Sequence, residues 1–570
     1  MFSQVRRAVV AALLTSSVAW PVSADTGSGS YLAGRQAIYQ SDYVAAERYY
    51  SQALRFDPQN TKLLESVLLA RIALGDIEGA LPVAEITDAG EGPNQPGRMV
   101  IYANLIAQEK LDELLARDPE TQGVGPLVDG LVIAWAHMGN GAVTQAMEQF
   151  DSVATQEGLS EFALYHKAMA LASIGDFEGA EEVMGAENAA VSRISRRAAL
   201  AQAEILSQLD RNEDALLFLD DVFAAGNDPF IENYTARLTA GETLPFTHVR
   251  TPRDGMAEVF YSVGAALNSD AADDYVLLYS RVASFLREDH IDAALLTAEL
   301  LEELRQYDLA VEAYRSVPPD SFDYHAAELG RAEVLRQSGK TDAAIEVLQN
   351  LALQQPGLPG VHVALADLLR QQEDYAAAVS SYDTAIGLTD AGVGASWFLH
   401  YARGISHERL KNWDKAEADF RKALELNPDQ PQVLNYLGYS LVERREKLDE
   451  ALDMIERAVA ARPDSGYIVD SLGWVLFRLG RYDEAVDHME RAVELMPVDP
   501  VVNDHLGDVY WAVGRAREAE FQWKRALSFI DPEDTDGEAD PDRIRRKIEV
   551  GLDAVLNEEG AEPLKVANDG

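Results

Sequence analysis

Ten histidines, 95 carboxylates and not one cysteine are the groups with which this chain could do chemistry. The absence of cysteine removes disulfides, thiol nucleophiles and cysteine-ligated zinc together. His400 and His407 are the one close pair that a helix would set on the same side. Two imidazoles at i and i+7 fall short of a metal site, and packed or surface histidines are the expectation. No HExxH pair, glycine-rich phosphate loop or GxSxG elbow occurs. Acid pairs carry little meaning in so acidic a chain, because helix surfaces this rich in Asp and Glu bring carboxylates together by chance. The expectation is therefore a protein that is not an enzyme and takes no cofactor and no metal. A hydrolase built on an unrecognised acid pair is the rival of a different class.

The spacing offers a binding surface instead. Asn435, Asp470 and Asp504 follow one another at 35 and 34 residues, and Tyr439, Trp474 and Asp508 do the same. Phe477 and Trp511 stand 34 apart. These eight residues form an acidic and aromatic set whose natural complement is a basic or mixed basic-apolar segment, the rings supplying buried contact and the carboxylates steering the encounter. A net charge of −46 argues against nucleic acid and against a charged dock on anionic lipid. Such acidity also keeps a large helical surface soluble.

The elements that would position this set are repeats. Ala451, Ala485 and Ala519 are separated by 34 and 34 residues, as are Ala458, Ala492 and Ala526, and Gly438, Gly473 and Gly507 follow at 35 and 34. A bulky residue (Ile455, Met489, Trp523) lies four beyond the first alanine of each unit. Small residues let two antiparallel helices approach while large ones fill the grooves between them. Pro428, Pro463 and Pro497 stop the second helix. Ala416, Ala378, Ala344 and Ala310 carry the register backwards, and Ala46, Ala146, Ala180 and Ala215 mark looser units in the N-terminal half. By this phase Tyr510 and Trp523 belong to packing.

Phase and period together resemble the tetratricopeptide repeat family over nearly all of the chain, most specifically from Trp397 to Leu527. The resemblance implies an all-α, right-handed superhelical solenoid of about 12 to 14 antiparallel helix pairs in two halves, binding protein or peptide in a concave groove. The layout, with runs such as LNYLGYSLVE and DSLGWVLFRLGRYDEAV placed last, is similar to bacterial envelope repeat proteins. These include lipoprotein adaptors that bring substrates to a carboxyl-terminal processing protease. The chain departs from those adaptors in lacking the lipid-bearing cysteine. It departs from the family's carboxylate clamp in lacking Lys and Arg at the matching positions. A part in an envelope polysaccharide secretion machine is the alternative that the same resemblance leaves open.

The first residues complete the organisation. Arg6 and Arg7, an apolar run from Ala8 to Leu14, and Val22-Ser23-Ala24 read as an export signal cut after Ala24, which directs the chain to the periplasm of a two-membrane cell. No later segment is apolar for long enough to span a membrane. The expected organisation is a signal over 1–24, a degenerate array over 25–225, an irregular junction over 226–255, and a second array over 256–530. An acidic linker and a closing helix over 531–570 follow, with Ile544, Ile548, Leu552 and Val555 on one face. Residues 88–98, rich in Gly and Pro, read as a loop or a distorted repeat junction.

Overall fold

The computed structural model describes residues 27–89, 94–185, 191, 195–223, 229–390, 396–531, 539–561 and 564. The signal at 1–24 and most of the acidic linker lie outside them. Among the described residues every regular element is a helix, and the chain divides into two compact units, Met1–Val347 and Leu348–Gly570.

The helices form because alanine and glycine recur where two helices cross. Ala451, Ala458, Ala485, Ala492, Ala519 and Ala526 are all fully buried. Gly507 shows why nothing larger is tolerated, since a Cβ there would lie 2.4 Å from the Trp523 ring. Asn and Asp caps start many helices, as where Asp499 Oδ1 accepts from Val502 N at 3.0 Å. Asn94 caps the helix Gln95–Ala107 in the same way, with Pro96 in its first turn, so the segment read as a loop at 88–98 already contains a helix start.

In the first unit, pairs such as Thr61–Ala73 with Ile77–Asp88 and Pro126–Gly139 with Val143–Ala154 stack in sequence. The chain then folds back on them. Helices Pro252–Leu267 and Asp273–Leu286 pack against Thr61–Ala73, Gln95–Ala107, Pro126–Gly139 and Ser160–Ser173, the first helices of four successive pairs, which line the inside of such a superhelix. Tyr275 Oη donates to Gln95 Oε1 at 2.7 Å, Tyr165 Oη donates to Glu258 Oε1 at 2.8 Å, and Arg281 Nε donates to the Ala73 carbonyl at 3.0 Å. Gly255 permits this approach: a Cβ on it would sit 2.4 Å from the Trp135 ring.

The two compact units divide after Val347, and the stretch 226–255 holds, among its described residues, the helix Pro229–Thr239, an irregular run over 240–251 and the start of Pro252–Leu267. Pro229 and Pro252 each open a helix, where a missing N–H costs nothing.

In the second unit the pairs Trp397–Arg409 with Trp413–Leu426, Pro431–Glu443 with Leu448–Ala461, Gly466–Arg478 with Tyr482–Leu495, and Pro500–Ala512 with Ala516–Phe529 stack in register. The closing helix is two helices, Pro541–Val550 and Leu552–Glu558. Gly551, at φ +85°, breaks it, and a Cβ there would come within 2.4 Å of the Trp511 ring. Ile544, Leu552 and Val555 are buried as the apolar face requires.

Candidate functional site, the groove of the C-terminal repeats

The second unit carries a cavity of about 1030 Å³. Asn435, Tyr439, Asp470, Trp474, Phe477, Asp504 and Asp508 all line it, while Trp511 does not. Trp511 is covered by the closing segment, its Nε1 donating to Asp553 Oδ2 at 2.9 Å and its ring 5.6 Å from that of Trp523. It belongs to packing.

The aromatic floor is a stack. Trp474 lies nearly parallel to Phe477 at 4.9 Å and to His505 at 4.0 Å, and its Nε1 donates to Glu443 Oε1 at 2.8 Å. Trp474 and Phe477 are half-buried, so each serves packing with one side and faces the groove with the other. Tyr510 and Trp523 are buried, as expected of packing residues.

The carboxylates differ from the sequence reading. Asp470 is held by His505 Nδ1 at 3.1 Å. Lys547, reaching in from the closing helix, donates to both Asp504 oxygens at 2.8 Å and to Asp508 Oδ1 at 2.7 Å. Trp523 Nε1 also donates to Asp508 Oδ1, at 2.9 Å. Lys547 is 0% exposed, and Asp508 1%. The basic-apolar segment that these acids call for is therefore present within the chain, and they are not open charges awaiting a partner. Burial, and next the Asp508 carboxylate, push Asp504 above the ordinary carboxylate range against the pull of Lys547. Burial disfavours the charged form of His505, but Asp470 and, behind it, Asp504 and Asp508 together outweigh that and hold the imidazole above its usual value.

Sequence reasoning passed over the lip of the groove. Arg409, Arg444 and Arg478 also line it, at the C-terminal ends of the first helices of three successive pairs, and Lys411 stands beside them. Their spacing of 35 and 34 residues was the available signal. The Arg444 guanidinium lies 4.7 Å from the Trp413 ring centre and that of Arg478 5.9 Å from the Trp474 ring centre. Two polar atoms of lining residues, Asn435 Oδ1 and Trp413 Nε1, are buried without a hydrogen-bond partner among the described residues.

The histidines singled out by spacing are packed. His400 Nδ1 faces Asp419 at 3.4 Å, an acid also bound by Arg403, and His407 is buried.

These stacked pairs and their groove define a helical-repeat protein, and tetratricopeptide repeats are found within residues 329–500. Models described as "Tetratricopeptide repeat" match residues 329–393, 397–430 and 443–500. A TPR repeat-containing protein of Pseudomonas aeruginosa is 28% identical over 193 residues, covering 34% of this chain and 32% of that protein. A lipoprotein NlpI homolog of Haemophilus influenzae is 39% identical over 87 residues, covering 15% of this chain and 26% of its own length. The chain thus spans about a third or less of these relatives. The crystal structure of a tetratricopeptide repeat protein from Parabacteroides merdae aligns over 46% of this chain and 98% of that one, at 16% identity and a TM-score of 0.37.

Proposed function

We propose that this protein is an extracytoplasmic adaptor that holds an extended polypeptide in the groove of its C-terminal repeats and performs no reaction itself. The observation that carries the reading is the half-buried stack of Trp474 on Phe477 on the lining of the groove, the kind of aromatic surface that dominates binding energy. The export signal and the partial likeness to an envelope lipoprotein support a place in the periplasm, where bringing substrates to a protease or another cell-wall enzyme is the adaptor's work.

The test is selection of a displayed random-peptide library on the full chain. Enriched peptides should lose binding to Trp474→Ala and Asn435→Ala variants whose circular dichroism matches the parent. Peptides that bind parent and variants equally would remove the groove from the reading. N-terminal sequencing of the envelope fraction should begin at or near Asp25, and an intact Met1 on a cytosolic protein would overturn the localisation.

A further inference from the structure

The helices that return onto the early pairs are fastened through two buried histidines whose protons are fixed by their neighbours. Gly255, Glu258 and Ser262 fall on one face of Pro252–Leu267. Gly255 meets the Trp135 ring, Trp135 Nε1 lies 3.2 Å from His166 Nδ1, and His166 Nε2 lies 3.1 Å from Ser262 Oγ, which donates to the Val259 carbonyl at 3.2 Å. An indole N–H only donates, so His166 Nδ1 is the bare nitrogen and the single ring proton sits on Nε2, donated to Ser262. His290 is held in the same sense. Its Nδ1 accepts from Ala293 N at 3.2 Å, capping the helix Ile291–Glu303, and its Nε2 donates to Glu258 Oε2 at 3.1 Å. A second proton on either ring would have to enter at Nδ1, against an indole N–H in one case and a backbone N–H in the other. Both sites are therefore built for the neutral imidazole.

The charged groups facing these rings, among the described residues, are already committed. Glu258 accepts from Tyr165 Oη at 2.8 Å and from Arg197 Nε at 2.8 Å, and Arg197 also donates to Asp292 at 2.6 Å. Burial raises Glu258 and Asp292, but Arg197 and His290 outweigh it and hold both carboxylates below their usual range. Burial pushes Tyr165 and Tyr261, whose rings lie 5.3 Å from His166 and 4.7 Å from His290, above the usual phenol range. Between pH 5 and 7 the acids thus stay charged and the phenols neutral. His248 turns Nδ1 to Glu204 Oε2 at 2.8 Å, an acceptor that suits the neutral and the charged ring alike, and so meets no such conflict. Burial lowers His166 to about 4, and burial with Arg197 lowers His290.

We propose that His166 and His290 form a proton-operated latch on the return segment, closed while both rings are neutral and released when acid charges them. Opening brings each ring to water, where it takes a proton near its ordinary value of about 6.5, whereas the closed form refuses that proton until the pH is well lower. Closure is accordingly at full strength above about pH 6.5 and weakens as the pH falls from there. The latch lies wholly in the first unit and is independent of the groove reading.

Hydrogen exchange of the full chain tests this, read by mass spectrometry at pH 7, 6 and 5 and corrected for the intrinsic rate at each pH. Protection over residues 252–286 should fall about tenfold or more between pH 7 and 5. Helices 466–529 of the second unit should keep theirs, since His505 is held above its ordinary value and its contribution is lost only with rising pH. In His166→Gln/His290→Asn, which replaces both imidazoles by amides that hydrogen-bond without titrating, protection over 252–286 should no longer depend on pH in that range. Should the double variant not fold, His290→Asn alone decides, because asparagine is itself a good helix cap and the single variant should lose part of the dependence. Protection of the parent that stays flat from pH 7 to 5, an equal fall in both units, or a fall undiminished in these variants overturns the proposal.

Discussion

Replacing Lys547 with methionine should loosen the closing helices without touching the repeats beneath them. The amine is 0% exposed and holds two carboxylates at 2.7 and 2.8 Å. Methionine keeps the stem's packing and removes the charge, leaving Asp504 without the Lys547 ion pair, the one it has among the described residues. Asp508 retains Trp523 Nε1 at 2.9 Å and Arg543 at 3.8 Å. Breaking a buried pair by deleting one member costs about 3–5 kcal/mol. At 1.36 kcal/mol for each factor of ten, that is an acceleration of local opening by about two to three and a half powers of ten. Native-state hydrogen exchange read by mass spectrometry over residues 541–558 measures it directly. The neutral triple variant Lys547→Met/Asp504→Asn/Asp508→Asn should recover most of the lost protection, because the penalty arises from uncompensated charge. Lys547→Met exchanging like the parent, or the triple variant exchanging as fast as the single one, would refute the reasoning.

Ala485→Leu should overpack a fully buried helix crossing and cost about 1–3 kcal/mol in urea, whereas Glu494→Gln, in an exposed pair with Arg491, should cost under about 0.5 kcal/mol. Equal midpoints would show the repeat phase to be wrong. Gly255→Ala should drive a Cβ into the Trp135 ring and lower the stability of the first unit by about 1–3 kcal/mol, with the second unit's melt unchanged. His505 binds its proton more tightly folded than unfolded, so its contribution is complete below about pH 6.5 and is lost as pH rises through the raised folded value. Melts of the second unit from pH 6 to 9 should therefore fall more steeply for the parent than for Asp470→Asn, and parallel curves would rule the His505–Asp470 pair out as the cause.

The repeats were legible because the rule behind them is local: a small residue at 485 and a large one at 489 face each other across a crossing formed within a single helix pair. The same period gave seven of the eight groove residues, since position within the first helix decides which face a side chain takes. What period cannot give is who covers that face. Asp504 and Asp508 look open until Lys547, 43 and 39 residues further on, is placed over them. Trp511 likewise looked like a groove ring until Asp553 and Gly551 closed on it. The lip arginines keep the period too, but they stand at the end of the first helix, where spacing alone does not tell a groove residue from one facing outward. The packing of helices 252–286 is not written in any local pattern, because their partners lie far upstream, 93 residues for Glu258 with Tyr165 and 180 for Tyr275 with Gln95.

That return of the chain has a consequence for how the protein is made. Repeat arrays ordinarily tolerate loss or gain of a unit, since each touches only its neighbours and folding spreads from any point. Here the four early pairs finish their interior only when residue 286 has arrived. The first unit acquires the slow, long-range closure of a high contact-order domain, and a nascent or truncated chain ending near residue 250 presents its unfinished apolar interior to solvent. Folding of the N-terminal repeats must wait for a distant segment, while the later repeats close unit by unit as they appear.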